Sequence, residues 1–441
     1  MGEGQKAEGR EPADECVHCG FCLPACPTWV SWGAEMDSPR GRIDLYRALS
    51  DGRLPFTARA TLHFDRCLGC MACLSACPSG VRFDRVIEAA RERVEREVPR
   101  APVDRLFRAL LFALFPYPGR LRLAGLGLWL FRASGLGWLL RRAGWGRRLP
   151  RLAALEALAP PLRLSQFFRR LPPRVPARGE RRLKVGLLQG CVQRVFFPEV
   201  NAATVRVLAA EGVEVVIPSQ GCCGALSLHA GRTAEARRMA KDLLDRFEDG
   251  SFDLLVVNAA GCGSHLKDLG HLFADDPELG PRARALAARV RDVTELLASL
   301  PPRSPRAPLR SRVAWHMPCH LGHGQRLSAD PRGALRTIPG IEIVELDDGG
   351  ACCGSAGIYN LILPGAAAEV GARKADAVAA TQAPLLASAN PGCTLHLVSI
   401  LRARGVPVRA LHPVELVDRA IAEAERGGDH LGGTGIAPGK T

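Results

Sequence analysis

Eight of the 16 cysteines fall into two runs of one spacing. CVHCGFCLPACP sets Cys16, Cys19, Cys22 and Cys26 in a C-x2-C-x2-C-x3-C-P pattern, and CLGCMACLSACP repeats it 51 positions later with Cys67, Cys70, Cys73 and Cys77. Three thiolates at steps of three can take three iron corners of a cubane, while the fourth, just before the proline, reaches the other cluster. The crossed assignment gives Cys16, Cys19, Cys22 and Cys77 to one [4Fe–4S] cluster and Cys67, Cys70, Cys73 and Cys26 to a second. A structural zinc is the plainer alternative, because C-x2-C pairs also suit tetrahedral Zn2+. Zinc leaves the third cysteine and the Cys-Pro of each run without a reason.

The other eight cysteines lie beyond residue 190 and are also duplicated. Cys191, Cys222, Cys223 and Cys262 are followed by Cys319, Cys352, Cys353 and Cys393 at offsets of 128, 130, 130 and 131. Such a set could hold a further iron–sulfur cluster, hold zinc, or serve as a redox or docking surface; the plain alternative is buried, inert thiols. His265 and His396, each three residues after a cysteine, could complete a site. His229, His316, His320 and His323 are weaker candidates.

The elements that must position these residues follow from pattern. Ser38 as N-cap, Pro39 at the first helical position and Gly52 at the end frame a helix between the two runs. Val86, Ile87, Ala90 and Val94 recur at helical spacing after the second. Residues 1–100 are therefore expected to form a helical two-cluster ferredoxin domain. LKVGLLQGC, VEVVIPSQGCCG and FDLLVVNAAGC each read as a strand running into cysteine, and RVAWHMPC, IEIVELDDGGACCG and APLLASANPGC repeat them. Strands alternating with helices predict a parallel sheet with helices packed around it, and ligands gather beyond the carboxyl ends of such strands. The expected α/β cysteine-rich repeats span 183–300 and 301–425, with a flexible tail at 426–441.

Composition narrows the function. The chain has 441 residues, 47% hydrophobic and 24% charged, as in a folded protein. So many cysteines in so long a chain favour metal ligation in a reducing compartment over a disulfide scaffold. The first residues, MGEGQKAEGREPADE, do not read as a signal peptide, and a cytoplasmic location is expected. The formal net charge is +14, and residues 101–182, with 17 Arg against Asp104, Glu156 and Glu180, carry +14 by themselves. No nucleic-acid-binding signature accompanies that charge, so no nucleic acid partner is expected.

Residues 101–182 read as basic, Leu/Arg-rich linker helices. Their longest charge-free stretch, Ala109 to Gly119, has 11 residues against roughly 20 needed to span a bilayer. Trp129, Phe131, Trp138 and Trp145 beside Arg132, Arg141, Arg142, Arg147 and Arg148 would suit peripheral contact with the inner face of the cell membrane through 105–170. The alternative is an apolar face packed on the chain itself or on another subunit. No G-x-G-x-x-G after a strand, Walker loop or flavin signature is present.

The order of these motifs resembles the iron–sulfur subunits of flavin-dependent 2-hydroxy-acid dehydrogenases, above all the glycolate oxidase (glycolate dehydrogenase) iron–sulfur subunit family. The likeness is carried by CVHCGFCLPACPTW, SPRGRIDL, DRCLGCMACLSACPSGVR, GCCGA, GCGSHLKDLG, CCGSAGIYNL and NPGCTLHL. It implies an electron-transfer subunit of an oxidoreductase. FAD and hydroxy-acid oxidation would lie in FAD-binding partner subunits, and electrons would pass to a quinone or other respiratory acceptor. Lactate or anaerobic glycerol-3-phosphate dehydrogenase subunits belong to the same class. In heterodisulfide reductase, a relative, a C-x-x-C pair ends each motif and the cysteines hold a noncubane cluster. Here Ser264 and His265 follow Cys262 and Gly263, and Thr394, Leu395 and His396 follow Cys393, so neither copy has the fifth thiolate and a disulfide-reducing site is the runner-up.

Overall fold

The computed structural model describes residues 10–142, 144, 149–248 and 251–427. The expected helix between the two cysteine runs spans Pro39–Ser50, and Ser38 Oγ accepts the Gly41 backbone N–H at 3.0 Å. A Cβ at Gly41 would lie 1.9 Å from the Glu35 carbonyl oxygen, so only glycine fits there. The helix after the second run spans Phe83–Glu97 and buries Val86, Ile87, Ala90 and Val94 against Ile43, Tyr46, Leu49 and Phe64. Its apolar positions recur every three or four residues, which is what turns one face inward.

Two sheets follow. In the first, strands β1 (Arg174–Val175), β2 (Leu183–Leu188), β3 (Val213–Val216), β4 (Leu254–Val257) and β5 (Val290–Asp292) lie in the order β1-β3-β2-β4-β5. The second holds β6 (Ser311–His316), β7 (Ile341–Glu345), β8 (Leu385–Ser388) and β9 (Arg409–Leu411) in the order β7-β6-β8-β9. The second sheet is wholly parallel, as expected. The first adds one element that the strand–helix alternation does not announce, the two-residue β1, antiparallel on the β3 edge.

The two repeats share one core. The Pro198–Ala210 and Pro413–Glu425 helices pack together, and Val185, Val215 and Val256 join Val313, Trp315 and Leu385 in a single buried cluster. The equivalent cysteine loops meet: Ala260 N–H donates to Ala389 O at 3.1 Å and Gly261 N–H to Asn390 Oδ1 at 3.3 Å. The carboxyl ends of both sheets, and so both cysteine sets, are thereby turned toward each other.

Residues 101–168 are more than a connection. The helices Pro102–Leu114, Pro118–Ala133, Leu136–Arg142 and Pro150–Leu158 lie across the junction of the repeats. Phe107, Leu111 and Phe112 pack on Ile358 and Leu361, and Leu121 and Trp129 pack with Phe167 and Val195. Each fully buried side chain of this size contributes about 1.5–3 kcal/mol, which fixes these helices to their own chain. Their outer face keeps apolar groups in solvent: Leu106, Leu123, Leu130, Trp138 and Leu139 are all exposed. Arg142 lies over the Trp138 ring. Trp145, Arg147, Arg148 and nearly all of the expected tail lie outside the described residues.

Candidate iron–sulfur and cysteine sites

The two cysteine runs interlock. One cavity is bordered by Cys67, Cys70, Cys73 and Cys26, and another by Cys16, Cys19, Cys22 and Cys77, with Cys73 touching both. The fourth cysteine of each run thus stands with the first three of the other. Four thiols about each cavity are the donor set that a [4Fe–4S] cluster takes, so the residues fit that group.

The environments of the two sites differ. Cys19 is exposed, with Val17 and Phe21 beside it at 68% and 64% exposure, whereas Cys67, Cys70 and Cys73 are buried. Burial, then the nearby Cys319, pushes the Cys70 thiol well above its ordinary range. Leu68 and Cys70 share an apolar cluster with Cys352 and Cys319. The second run therefore lies directly against the second cysteine-rich repeat.

A buried polar group around Cys26 escapes sequence reading. Arg42, 1% exposed, donates from both terminal nitrogens to Thr28 Oγ1 at 3.2 Å and from Nε to His63 O at 2.7 Å, and one terminal nitrogen lies 4.0 Å from Cys26 Sγ. Thr28 Oγ1 itself is 3.2 Å from that sulfur. Asp37, fully buried, accepts from Arg42, Arg66 and His63. Hydrogen bonds at a ligand sulfur are one of the levers that set a cluster's potential. The only sequence signal was SPRGRI, and periodicity gives no role to an Arg among Ile43, Leu45, Tyr46 and Leu49.

Beyond residue 190 the structure brings each cysteine set together. Cys222 Sγ is 3.6 Å from Cys191 Sγ, and thiol contacts continue from Cys222 to Cys223 and on to Cys262. Cys319, Cys352, Cys353 and Cys393 form the same chain of contacts in the second repeat. The glycine of each CCG is obligatory. Gly224 and Gly354 have φ of +93° and +84°, and a Cβ there would strike the Ala236 and Ala367 carbonyl oxygens. That left-handed turn is what aims the two preceding thiols inward.

All eight of these cysteines line one cavity of about 500 Å³. Leu114, Phe115, Leu121, Leu128, Phe131 and Leu155 of the preceding segment line its other side. His229 and His320 also border it, stacked at 4.9 Å, and His320 Nε2 donates to Gly69 O at 2.9 Å in the second cysteine run. His323 Nδ1 lies 2.8 Å from Ser75 Oγ.

The histidines sort differently from their order in the sequence. His396 places Nε2 3.1 Å from Ala367 O, so a backbone carbonyl holds it. His265 is hydrogen-bonded to the Cys223 backbone, and burial pushes it down to about 4. His316, at the end of β6, lies with Cys353 and Cys393 so that one ligand atom from each falls within 4.8 Å of the others. Asn390 Nδ2 donates to Cys393 Sγ at 3.3 Å.

Comparison with known proteins accounts for this arrangement along the whole chain. Residues 12–81 match the 4Fe-4S dicluster domain, 103–159 the linker region of the glycolate oxidase iron–sulfur subunit, and 185–267 and 313–398 the cysteine-rich domain. The chain is 36% identical over 423 residues to the probable glycolate oxidase iron–sulfur subunit of Bacillus subtilis strain 168, covering 93% of this chain and 95% of that protein. It is 33% identical to the glycolate oxidase iron–sulfur subunit of Escherichia coli strain K12, over 92% of this chain and 93% of that one. Lactate utilization protein A of Exiguobacterium sp. strain ATCC BAA-1283 / AT1b is 28% identical over 54% of this chain. With two relatives matched over more than nine-tenths of both chains and the linker matched as well, the chain belongs to the family of glycolate oxidase iron–sulfur subunits.

Proposed function

We propose that the chain carries electrons within a flavin-dependent complex that oxidises glycolate, with FAD and glycolate bound by partner subunits and a quinone or other respiratory acceptor beyond. The observation that carries this reading is the interlocked pair of four-cysteine sets, one at the surface and one against the second repeat. Cys16, Cys19, Cys22 and Cys77 would hold one [4Fe–4S] cluster and Cys67, Cys70, Cys73 and Cys26 the other. Such clusters, when bound, take up and release single electrons. The exposed loop bearing Val17, Cys19 and Phe21 is the side that a donor subunit can approach. Glycolate is favoured over lactate because the likeness to lactate utilization protein A covers 54% of the chain, while the two glycolate oxidase relatives cover 93% and 92% of it and the linker is matched as well.

Among the described residues no helix is long and apolar enough to cross a membrane. The exposed side chains of Leu106, Leu123, Leu130, Trp138 and Leu139 suit peripheral contact with anionic lipid through the 105–170 segment.

The test is iron, acid-labile sulfide and EPR on anaerobically purified protein, with and without its flavin partners. About eight iron and eight sulfide per chain, in clusters reduced by glycolate only when the partners are present, is the expected result. Reduction by lactate and not by glycolate would move the substrate. Cys26→Ala should erase the signal of the cluster built on the second run; loss confined to the first-run cluster would refute the crossed ligation.

A further inference from the structure

The central strand pairs of the two cysteine-rich repeats share one register, yet their interiors differ behind the thiols. Leu188 at the end of β2 pairs with Val257; His316 at the end of β6 pairs with Ser388. The first repeat shows that an apolar pair fills this place in the fold. In the second, His316 is 1% exposed and neither ring nitrogen has a hydrogen-bond partner. Leaving a buried polar group unsatisfied is destabilising, a cost that Leu188 does not incur.

The imidazole does have potential partners of another kind. Its ligand atom lies within 4.8 Å of the sulfurs of Cys353 and Cys393, and all three residues are buried. A tetrahedral metal ion binds His nitrogen at roughly 2.0–2.1 Å and Cys sulfur at roughly 2.3 Å. Three such ligands stand ~3.5 Å apart, an approach of ~1 Å that side-chain torsions can supply. Cys353 and Cys393 line the cavity between the repeats, whereas His316 does not. A metal held by the three would therefore have its remaining position turned toward that cavity, as in zinc sites with an open coordination place.

We propose that His316, Cys353 and Cys393 form a binding site for one thiophilic metal ion of the zinc or ferrous class, present in the second repeat and absent from the first. The imidazole supplies from a strand end the ligand that neither copy of the motif supplies as a fifth cysteine. This assignment is independent of the [4Fe–4S] runs, whose EPR signals serve as the check on folding.

The experiment is metal analysis and X-ray absorption on the full-length, anaerobically purified protein, comparing wild type, His316→Leu and Cys222→Ser. One metal equivalent beyond the iron of two clusters, with mixed nitrogen and sulfur ligation, is expected. His316→Leu, which installs the first repeat's residue, should lose it with both [4Fe–4S] signals intact, and Cys222→Ser should retain it. A zinc edge or additional iron identifies the ion. No additional metal, an all-sulfur shell, or metal retained in His316→Leu would overturn the assignment. Should His316→Leu fail to fold, the nitrogen shell of the wild-type absorption spectrum decides the matter alone.

Discussion

The first cysteine-rich repeat keeps its thiols in front of an apolar interior; the second sets the same thiols before a polar one. Leu188 and Val257 in the first correspond to His316 and Ser388 in the second. Seven residues after Ala236 and Ala367, on which the two CCG glycines pack, the first repeat has Leu243 and the second Lys374, both about 1% exposed. Lys374 ion-pairs with Asp348, also buried. In the first repeat Leu188, Leu243 and Val257 lie in one buried apolar cluster, so apolar residues suffice for packing at these positions. The polar set is thus surplus to folding and belongs to whatever the second cysteine set does, next to the cysteine run that it touches through Cys70.

The largest effect that would sharpen this contrast is at Lys374. Lys374→Leu restores the residue of the first repeat but strands Asp348 as an unpaired buried charge, a loss of about 3–5 kcal/mol. Denaturant unfolding measures it, and Lys374→Leu with Asp348→Leu should recover most of the loss. A single-variant cost below about 1 kcal/mol would mean that the pair is not buried as described.

The helix caps that close the repeats give a second contrast, visible in pH dependence. Asp292 caps Val293–Ser299 in the first repeat and His412 caps Pro413–Glu425 in the second. Burial, only partly offset by the Thr294 hydrogen bonds, raises Asp292 to about 6. Its folded value lies above the ordinary 3.8, so its contribution is full below that value and is lost as pH rises through about 6. His412 is pushed down to about 3 by burial, and its Nδ1 must stay unprotonated to accept the Val414 N–H. Its contribution is full above the ordinary 6.5 and is lost as pH falls toward 3. Asp292→Asn should therefore flatten the fall in stability between about pH 4 and 6, and His412→Asn the acid loss between about pH 6.5 and 3, since Asn caps a helix and does not titrate. Thermal melts across pH would show both, and matching slopes in the two variants would erase the contrast.

The smallest effect concerns what ties the repeats together. Arg206 and Asp418 pair across the two central helices at 2.6 Å, with Arg206 about half exposed. Such a pair is worth less than about 1 kcal/mol. Arg206→Ala should hardly move the melt, because the shared core around Val185, Val215, Val313 and Trp315 joins the repeats. Two separate unfolding transitions in that variant would show that the charge pair, and not the core, couples them.

Local spacing made much of this readable. Ligand steps of three, the Cys-Pro of each run, the Ser38–Pro39 helix start and the offset repeat are all properties of short stretches, and each maps onto an observed element. What stayed hidden depends on residues far apart. His316 stands three positions before Cys319 but meets Cys353 and Cys393, so no motif marks it above His396. Amphipathic periodicity in residues 101–168 shows that one face is buried, not that the covered surface is a cavity lined by eight cysteines. The two-residue β1 is too short to alternate at all.

The contact between Gly69 and His320 has a consequence in time. Residues 67–77 are finished some 250 positions before the loop that covers them, with Ser75 waiting likewise for His323. Cys67 and Cys73 are enclosed by their own domain, but the face bearing Leu68 and Cys70 is covered by residues of the second repeat, which is made last. Iron and sulfide have that interval in which to reach Cys70 before the second repeat covers it.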